Sequence, residues 1–194
     1  MSAETNNDKP VSRYPVPDLE HLPGDIRDMV VTVQEKIGFI PNVFLAYAHR
    51  PDECRAFFAM HDALILREGN LTKADKEMIV VAISGGNNCL YCVVAHGAIL
   101  RILSKQPLLS DQVATNYRKA DITPQQNAML EFAMKVNKNS DQISQEDFDK
   151  LHDHGFTDED VWDIAGITAF FGLSNRMANL MSMRPNDEFY AMGR

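Results

Sequence analysis

The sequence predicts an all-α protein, and three observations carry that expectation. Apolar residues recur at three- and four-residue intervals through most of the chain. Ser/Thr-x-x-Asp pairs, prolines and glycines fall where helices would start and stop. Alternating strand-like runs joined by Asn-Gly turns are missing.

The elements follow in order. Residues 1–20, with Pro10, Pro15 and Pro17 among polar neighbours, read as an extended N-terminal arm, either free or packed on a neighbouring subunit through Tyr14 and Val16. From Asp25 onward, Ile26, Met29, Val30, Val33 and Ile37 keep a helical spacing that Gly38 ends. Phe39-Ile40-Pro41-Asn42 turns into a short apolar helix ending near His49. Pro51 suits the first turn of a helix running to about Glu68, closed by Gly69-Asn70. Thr72 and Asp75 form a capping-box start for a helix from Lys73 to Ser84, which Gly85-Gly86 break. Asn87 or Asn88 then caps a helix from Cys89 to about Ser104. Further starts fall at Ser110, at Thr123-Pro124, at Ser144 with Asp147, and at Thr157 with Asp160, while Gly155 ends the helix after Ser144. The last long helix, through Trp162 and Phe170-Phe171 to about Met181, is apolar enough to be mostly buried. Val80-Val81-Ala82-Ile83 has strand propensity, but the capped start ahead of it and the helix after it favour a helix.

A chain of 194 residues can bury a sizeable core, and residues 21–194 read as a single helical domain. Hydrophobic residues at 45% and charged residues at 24% are ordinary for a globular protein. A formal charge of −8, with no basic stripe, argues against nucleic acid or an anionic membrane as partner. No apolar run reaches the roughly 18 residues of a membrane span. Met1 to Lys9 lacks the apolar stretch of a signal peptide, so the expected location is the cytoplasm. Three cysteines in such a chain do not form a structural disulfide framework.

Two of those cysteines carry the chemistry, in Cys89-Leu90-Tyr91-Cys92 followed by His96. Helical residues turn by about 100° each, which puts Cys89, Cys92 and His96 on one face. Cysteines so spaced can close a disulfide. At a helix start, unpaired N–H groups and the dipole favour a thiolate, and His96 can take or return a proton. These parts suit attack on a peroxide or a disulfide. The dipole favours Cys89 as nucleophile, whereas the i,i+4 base favours Cys92. A zinc site would want a fourth ligand, for which only His61 offers itself. Leu71-Thr72 with Met78, Ile79 and Ala82 is echoed at a constant offset by Ile122-Thr123 with Met129, Leu130 and Ala133. The same offset carries Glu77, Cys89, Cys92 and His96 onto Ala128, Ser140, Ile143 and Asp147, so the cysteine motif is not duplicated.

Written as Glu77-x11-Cys89-x2-Cys92-x3-His96, the pattern resembles the AhpD-like, carboxymuconolactone decarboxylase superfamily, in its peroxidase-related branch. Gly38-Phe39-Ile40-Pro41-Asn42 and Asn175-Arg176-Met177-Ala178 extend the resemblance to about residues 11–194. It implies an AhpD-like helical bundle, assembled as a homo-oligomeric trimer or hexamer, with alkylhydroperoxidase or thiol–disulfide exchange activity. By the same resemblance Cys92 attacks an organic hydroperoxide or disulfide substrate, and Cys89 resolves the sulfenic acid into a disulfide. His96 acts as general base and Glu77 joins the relay through a water. A dithiol, of lipoyl or thioredoxin type, would reopen the disulfide, and no cofactor is required. The best-studied peroxidase members carry His just before the second cysteine, where this chain has Tyr91; Tyr91 and His61 are therefore candidate pocket residues.

Outside the motif, Cys54 reads as a core or helix-surface thiol, and His21, His49, His152 and His154 as surface or capping residues. Met177, Met181 and Met183 suit adaptable packing at a subunit contact. Two other functions fit parts of the pattern. One is a redox sensor or assembly protein that turns nothing over. The other is a carboxymuconolactone decarboxylase-like lyase, which would not need paired cysteines.

Overall fold

The computed structural model describes residues 10–194, so the outer part of the expected arm, residues 1–9, lies outside the described residues. Those described form ten α-helices: α1 (Gly24–Ile37), α2 (Asn42–Tyr47), α3 (Pro51–Ile65), α4 (Lys73–Gly86), α5 (Leu90–Ser104), α6 (Leu109–Asn116), α7 (Pro124–Asn139), α8 (Gln145–Asp153), α9 (Asp158–Leu180) and α10 (Glu188–Ala191). Short 3-10 turns at Leu19–His21, Tyr117–Lys119 and Ser140–Gln142 link them. No strand occurs among the described residues, and none of their helices is long and apolar enough to cross a membrane.

Helix α4 is the centre of the bundle. Every residue from Lys76 to Ser84 is buried, and α5, α6, α7 and α9 wall it in. A helix covered on all sides shows no amphipathic period, which is why Val80 to Ile83 reads like a buried strand in sequence. The helix runs two residues past the expected Ser84 and ends at Gly86, so the expected break falls at the second of the two glycines. A Cβ at Gly85 would lie 2.3 Å from the Ala114 carbonyl oxygen, and one at Gly86 would lie 2.7 Å from the Met134 methyl. These glycines also serve close approach of neighbouring helices.

The repeated pattern in sequence falls on α4 and α7, which run parallel. At their starts Gln126 Nε2 donates to Asp75 Oδ1 at 2.9 Å. At their ends Asn87 and Asn137 exchange amide hydrogen bonds at 3.0 Å, and Lys138 Nζ donates to the Gly86 carbonyl at 2.7 Å. Each helix opens on a reciprocal capping box, Thr72 with Asp75 and Thr123 with Gln126, and Thr157 with Asp160 opens α9 the same way. Other boundaries differ from expectation as well. Helix α3 ends at Ile65 rather than near Glu68, and α6 begins at Leu109 because the Ser110 hydroxyl accepts from Arg101 Nη1 at 3.1 Å instead of capping.

The stop of α3 is built from the next helix. Lys76, 1% exposed, donates from Nζ to the carbonyls of Leu64 at 3.0 Å and Arg67 at 2.6 Å, with Ile65 at 3.4 Å. A buried ammonium is tolerated there because three carbonyl oxygens replace its water. Lys76→Met keeps the length of the side chain but orphans those acceptors. The expected cost is about 3 kcal/mol, or roughly a 10 °C fall in the melting midpoint for a domain of this size. Thermal unfolding checks it, and a midpoint unchanged from the parent protein would contradict it.

Residues 10–14 lie along the C-terminal end of α9. Arg13 N donates to the Met181 carbonyl at 2.7 Å, and Arg184 N to that of Val11 at 3.1 Å. Tyr14 stacks on His49 of its own chain, ring centroids 5.4 Å apart. Met181 and Met183 are likewise buried within the chain, so their expected packing role is met inside it.

Candidate active site

Cys89, expected as the first helical residue, is instead the N-cap of α5. Asn87 closes α4, and Asn88 takes a left-handed φ of 54°, a conformation asparagine tolerates. The Cys89 sulfur then stands where a Ser or Asp oxygen normally would, accepting the Cys92 N–H at 3.5 Å. The two cysteines are therefore brought together by a capping turn rather than by one continuous helical face. Both are free thiols in this state, 1% and 2% exposed.

This arrangement splits the two thiols electrostatically. Hydrogen bonding from the Cys92 thiol, against the opposing cost of burial, lowers Cys89 to about 7, with help from the Cys92 N–H, the Asn175 amide and His96. Cys92 is pushed well up, because its hydrogen is given to Cys89, because it is buried and because the neighbouring charge repels a second one. The pair thus holds one negative charge near neutral pH, and it rests on Cys89. Because Cys89 is depressed, the charge is present above about pH 7 and lost as pH falls through that value. Ultraviolet thiolate absorbance is expected to show a half-titration near pH 7 that Cys89→Ser removes. Titration of the parent protein only at the ordinary cysteine value would contradict this placement.

Glu77 and His96 meet beside the pair, one from the centre of α4 and one from α5. His96 Nδ1 lies 2.7 Å from Glu77 Oε2, with side chains 13% and 5% exposed. The contact between the two side chains is direct. An ionised carboxylate only accepts, so Nδ1 carries the hydrogen and Nε2 is left able to take one. Phe171 holds the imidazole edge-on at 4.8 Å between ring centroids.

Helix α9 closes the other side. Ser174 Oγ lies 3.9 Å from Cys92 Sγ. Asn175, fully buried, donates to Ser84 Oγ at 2.9 Å and accepts from Asn87 Nδ2 at 2.9 Å, and its amide also bonds the cysteine pair. Asn175 therefore reaches the site, while Arg176 turns out to bond Gly172. Ser174 is the residue the sequence reading missed. The available signal was a polar Ser174-Asn175 pair inside an otherwise apolar helix, where buried polar side chains need partners.

Tyr91 is 5% exposed, and its hydroxyl accepts the Val43 N–H at 3.1 Å, tying α5 to the first turn of α2. Burial pushes its pKa further up, so it does not stand in for a proton-accepting histidine. His61 sits between Phe58, Phe170 and Phe171 and hydrogen-bonds Asp62 Oδ1 at 2.9 Å. Burial lowers its pKa, with a smaller contribution from His96. His61 and His96 both contact Phe171, with ring centroids 6.3 and 4.8 Å from it. Cys54, 1% exposed, is raised to about 11 by burial and stays a thiol. Among the described residues no cluster of His, Cys, Asp or Glu is arranged to hold a metal ion.

The carboxymuconolactone decarboxylase family model matches residues 51–136, which include all four motif residues. A peroxidase-related protein of the alkylhydroperoxidase AhpD core from Ralstonia eutropha is 68% identical, covers 96% of this chain and 98% of its own, and superposes with a TM-score of 0.95. A peroxidase-related protein from a Silicibacter species is 41% identical over 96% of this chain and 97% of its own, with a TM-score of 0.91. The debrominase Bmp8 shares 22% identity over 94% of this chain and 95% of its own, at a TM-score of 0.71, a likeness of fold alone. No curated protein matches the chain. The same helical frame thus supports more than one chemistry, and the residues at the site must decide among them.

Proposed function

As the chain belongs to the AhpD-like, carboxymuconolactone decarboxylase superfamily, in its peroxidase-related branch, we propose that it is a thiol-dependent peroxidase acting through Cys92 and Cys89. The observation that carries this reading is a buried thiol pair sharing one charge beside a buried Glu77–His96 pair. In the first step Cys92 Sγ, its hydrogen passed to His96, attacks the terminal oxygen of an organic hydroperoxide. The S–O bond forms as the O–O bond breaks, and the alkoxide leaves as the alcohol with the hydrogen from His96. Sulfur is oxidised to the sulfenic acid and the peroxide is reduced by the same two electrons. Cys89 Sγ, held at the cap as the thiolate, then attacks Cys92 Sγ; the S–S bond forms as the S–O bond breaks, and the hydroxide leaves as water with a proton taken up from solvent. A dithiol of lipoyl or thioredoxin type returns both thiols.

One observation favours the exchanged assignment. At rest the charge lies on Cys89, not Cys92, so Cys89 is the readier thiolate. Mass spectrometry of each single Ser variant after one equivalent of peroxide distinguishes the two, because only the attacking cysteine gains oxygen when its partner is missing.

The chain also exposes an apolar stripe along α9. Trp162 is 71% exposed, Leu173 53% and Leu180 49%, at intervals that place them on one helix face. This face supports a homo-oligomer, with trimer or hexamer the expected forms.

The functional test is consumption of cumene hydroperoxide with a panel of dithiols, followed by mass spectrometry of the Cys89–Cys92 state. A disulfide that forms and reopens without peroxide consumption would point to a redox sensor. Turnover of a small lactone surviving loss of both cysteines would point to a lyase.

A further inference from the structure

Both sulfurs are shut from solvent, yet a hydroperoxide must reach one of them. A pocket of about 240 Å³ opens between α2, the start of α3 and the end of α9. Tyr47, Met177, Leu180 and Met181 form most of its apolar wall, with Arg50 and Glu53 paired at its rim. Met177 stands one helical turn beyond Ser174, whose hydroxyl touches Cys92, so the pocket and the sulfur occupy adjacent turns of α9.

Tyr47 lines this pocket. Its ring stacks on Phe57 at 4.2 Å, and Phe57, Phe170, Phe171 and His96 continue as an unbroken series of ring contacts to the proton relay. The residue is 6% exposed, and its hydroxyl is buried with no hydrogen-bond partner among the described residues. An orphaned buried hydroxyl is destabilising, and it is retained where it meets a ligand. Its pKa is raised by burial first and then by the nearness of Cys92, so it keeps its hydrogen and can donate to a developing anion.

On the peroxidase reading above, we infer that Tyr47 is a further catalytic residue: its hydroxyl donates a hydrogen bond to the leaving oxygen of a hydroperoxide whose alkyl or aryl group fills the adjoining pocket. Tyr47 keeps its own proton throughout; the alcohol product still takes its hydrogen from His96, so the balance of the step is unchanged. The donor stabilises charge where it develops as the O–O bond breaks. Tyr91 contributes indirectly, since its bond to Val43 anchors the short helix that ends in Tyr47.

The test is Tyr47→Phe, which keeps the ring and its stacking and removes only a hydroxyl that bonds nothing else. Single-turnover oxidation of the reduced protein by cumene hydroperoxide and by hydrogen peroxide is followed by stopped flow. The parent protein is expected to prefer cumene hydroperoxide, and the variant to lose about 10- to 100-fold in the rate with either peroxide. Its thermal midpoint and thiolate titration should match the parent, which separates a lost donor from a disturbed fold. A parent active on peroxides with Tyr47→Phe equally fast overturns the role of Tyr47 and leaves the peroxidase reading standing. A parent that favours hydrogen peroxide overturns the pocket. A parent inert to both peroxides overturns the peroxidase reading, and this inference with it.

Discussion

Cys92→Ser is expected to abolish hydroperoxide turnover, by on the order of 10³-fold or more, while leaving the fold and the Glu77–His96 contact intact. Serine replaces a polarisable nucleophile with a hydroxyl that His96 cannot activate enough to cleave a peroxide. The cavity left is small, because Cys92 already sits against a hydroxyl, that of Ser174, and a second hydroxyl has a partner there. Cys89→Ser is expected to behave differently. It should react once, leaving oxygen on Cys92, and then stall without the disulfide that a dithiol needs for recycling. If instead Cys92→Ser takes up the single equivalent and Cys89→Ser does not, the roles are exchanged, as the charge resting on Cys89 would allow. Full multiple turnover by Cys92→Ser would remove the thiol mechanism altogether.

Glu77→Gln is expected to reduce turnover by about 10²-fold with little change in KM. The carboxylate meets His96 Nδ1 at 2.7 Å inside the bundle, where it does two things. It fixes the tautomer, leaving Nε2 to receive the thiol hydrogen, and it balances the positive imidazole formed when that hydrogen arrives. Glutamine can still accept the Nδ1 hydrogen through its carbonyl, so the orientation survives. The counter-charge does not. Steady-state kinetics alongside a thermal melt separates the two contributions. A variant as active as the parent would show that Glu77 only packs.

Much of the site was legible because its spacing is local. Cys89, Cys92 and His96 fall within one helix and its cap, so their spacing was enough to expect them near one another, whereas Glu77, on the preceding helix, was expected there only from the family resemblance. The helical class was legible for the same reason, since Thr72 with Asp75 and Thr157 with Asp160 are short-range hydrogen-bond patterns that form as written. Cap identity was not. Asn87 looks like the better cap by residue type, yet its side chain is taken by Asn137, Asn175 and Lys138 from α7 and α9, which leaves Cys89 to begin the next helix. The close approach at Gly85 is non-local in the same way, because the Ala114 carbonyl that requires it comes from a helix not adjacent in sequence.

The sequence by itself determined that this chain is helical and that a Cys-x-x-Cys pair starts one of its helices with a His one turn further on. Those are properties of short stretches, set by spacing, capping and residue type. Tertiary structure decided which sulfur holds the charge, because burial, the Asn175 amide and the α5 cap act on Cys89 and Cys92 unequally. It decided that the Tyr91 hydroxyl ties down α2, and that Ser174 comes to Cys92 from α9. Long-range packing chooses the partners of buried polar groups, and no local pattern in the chain encodes that choice.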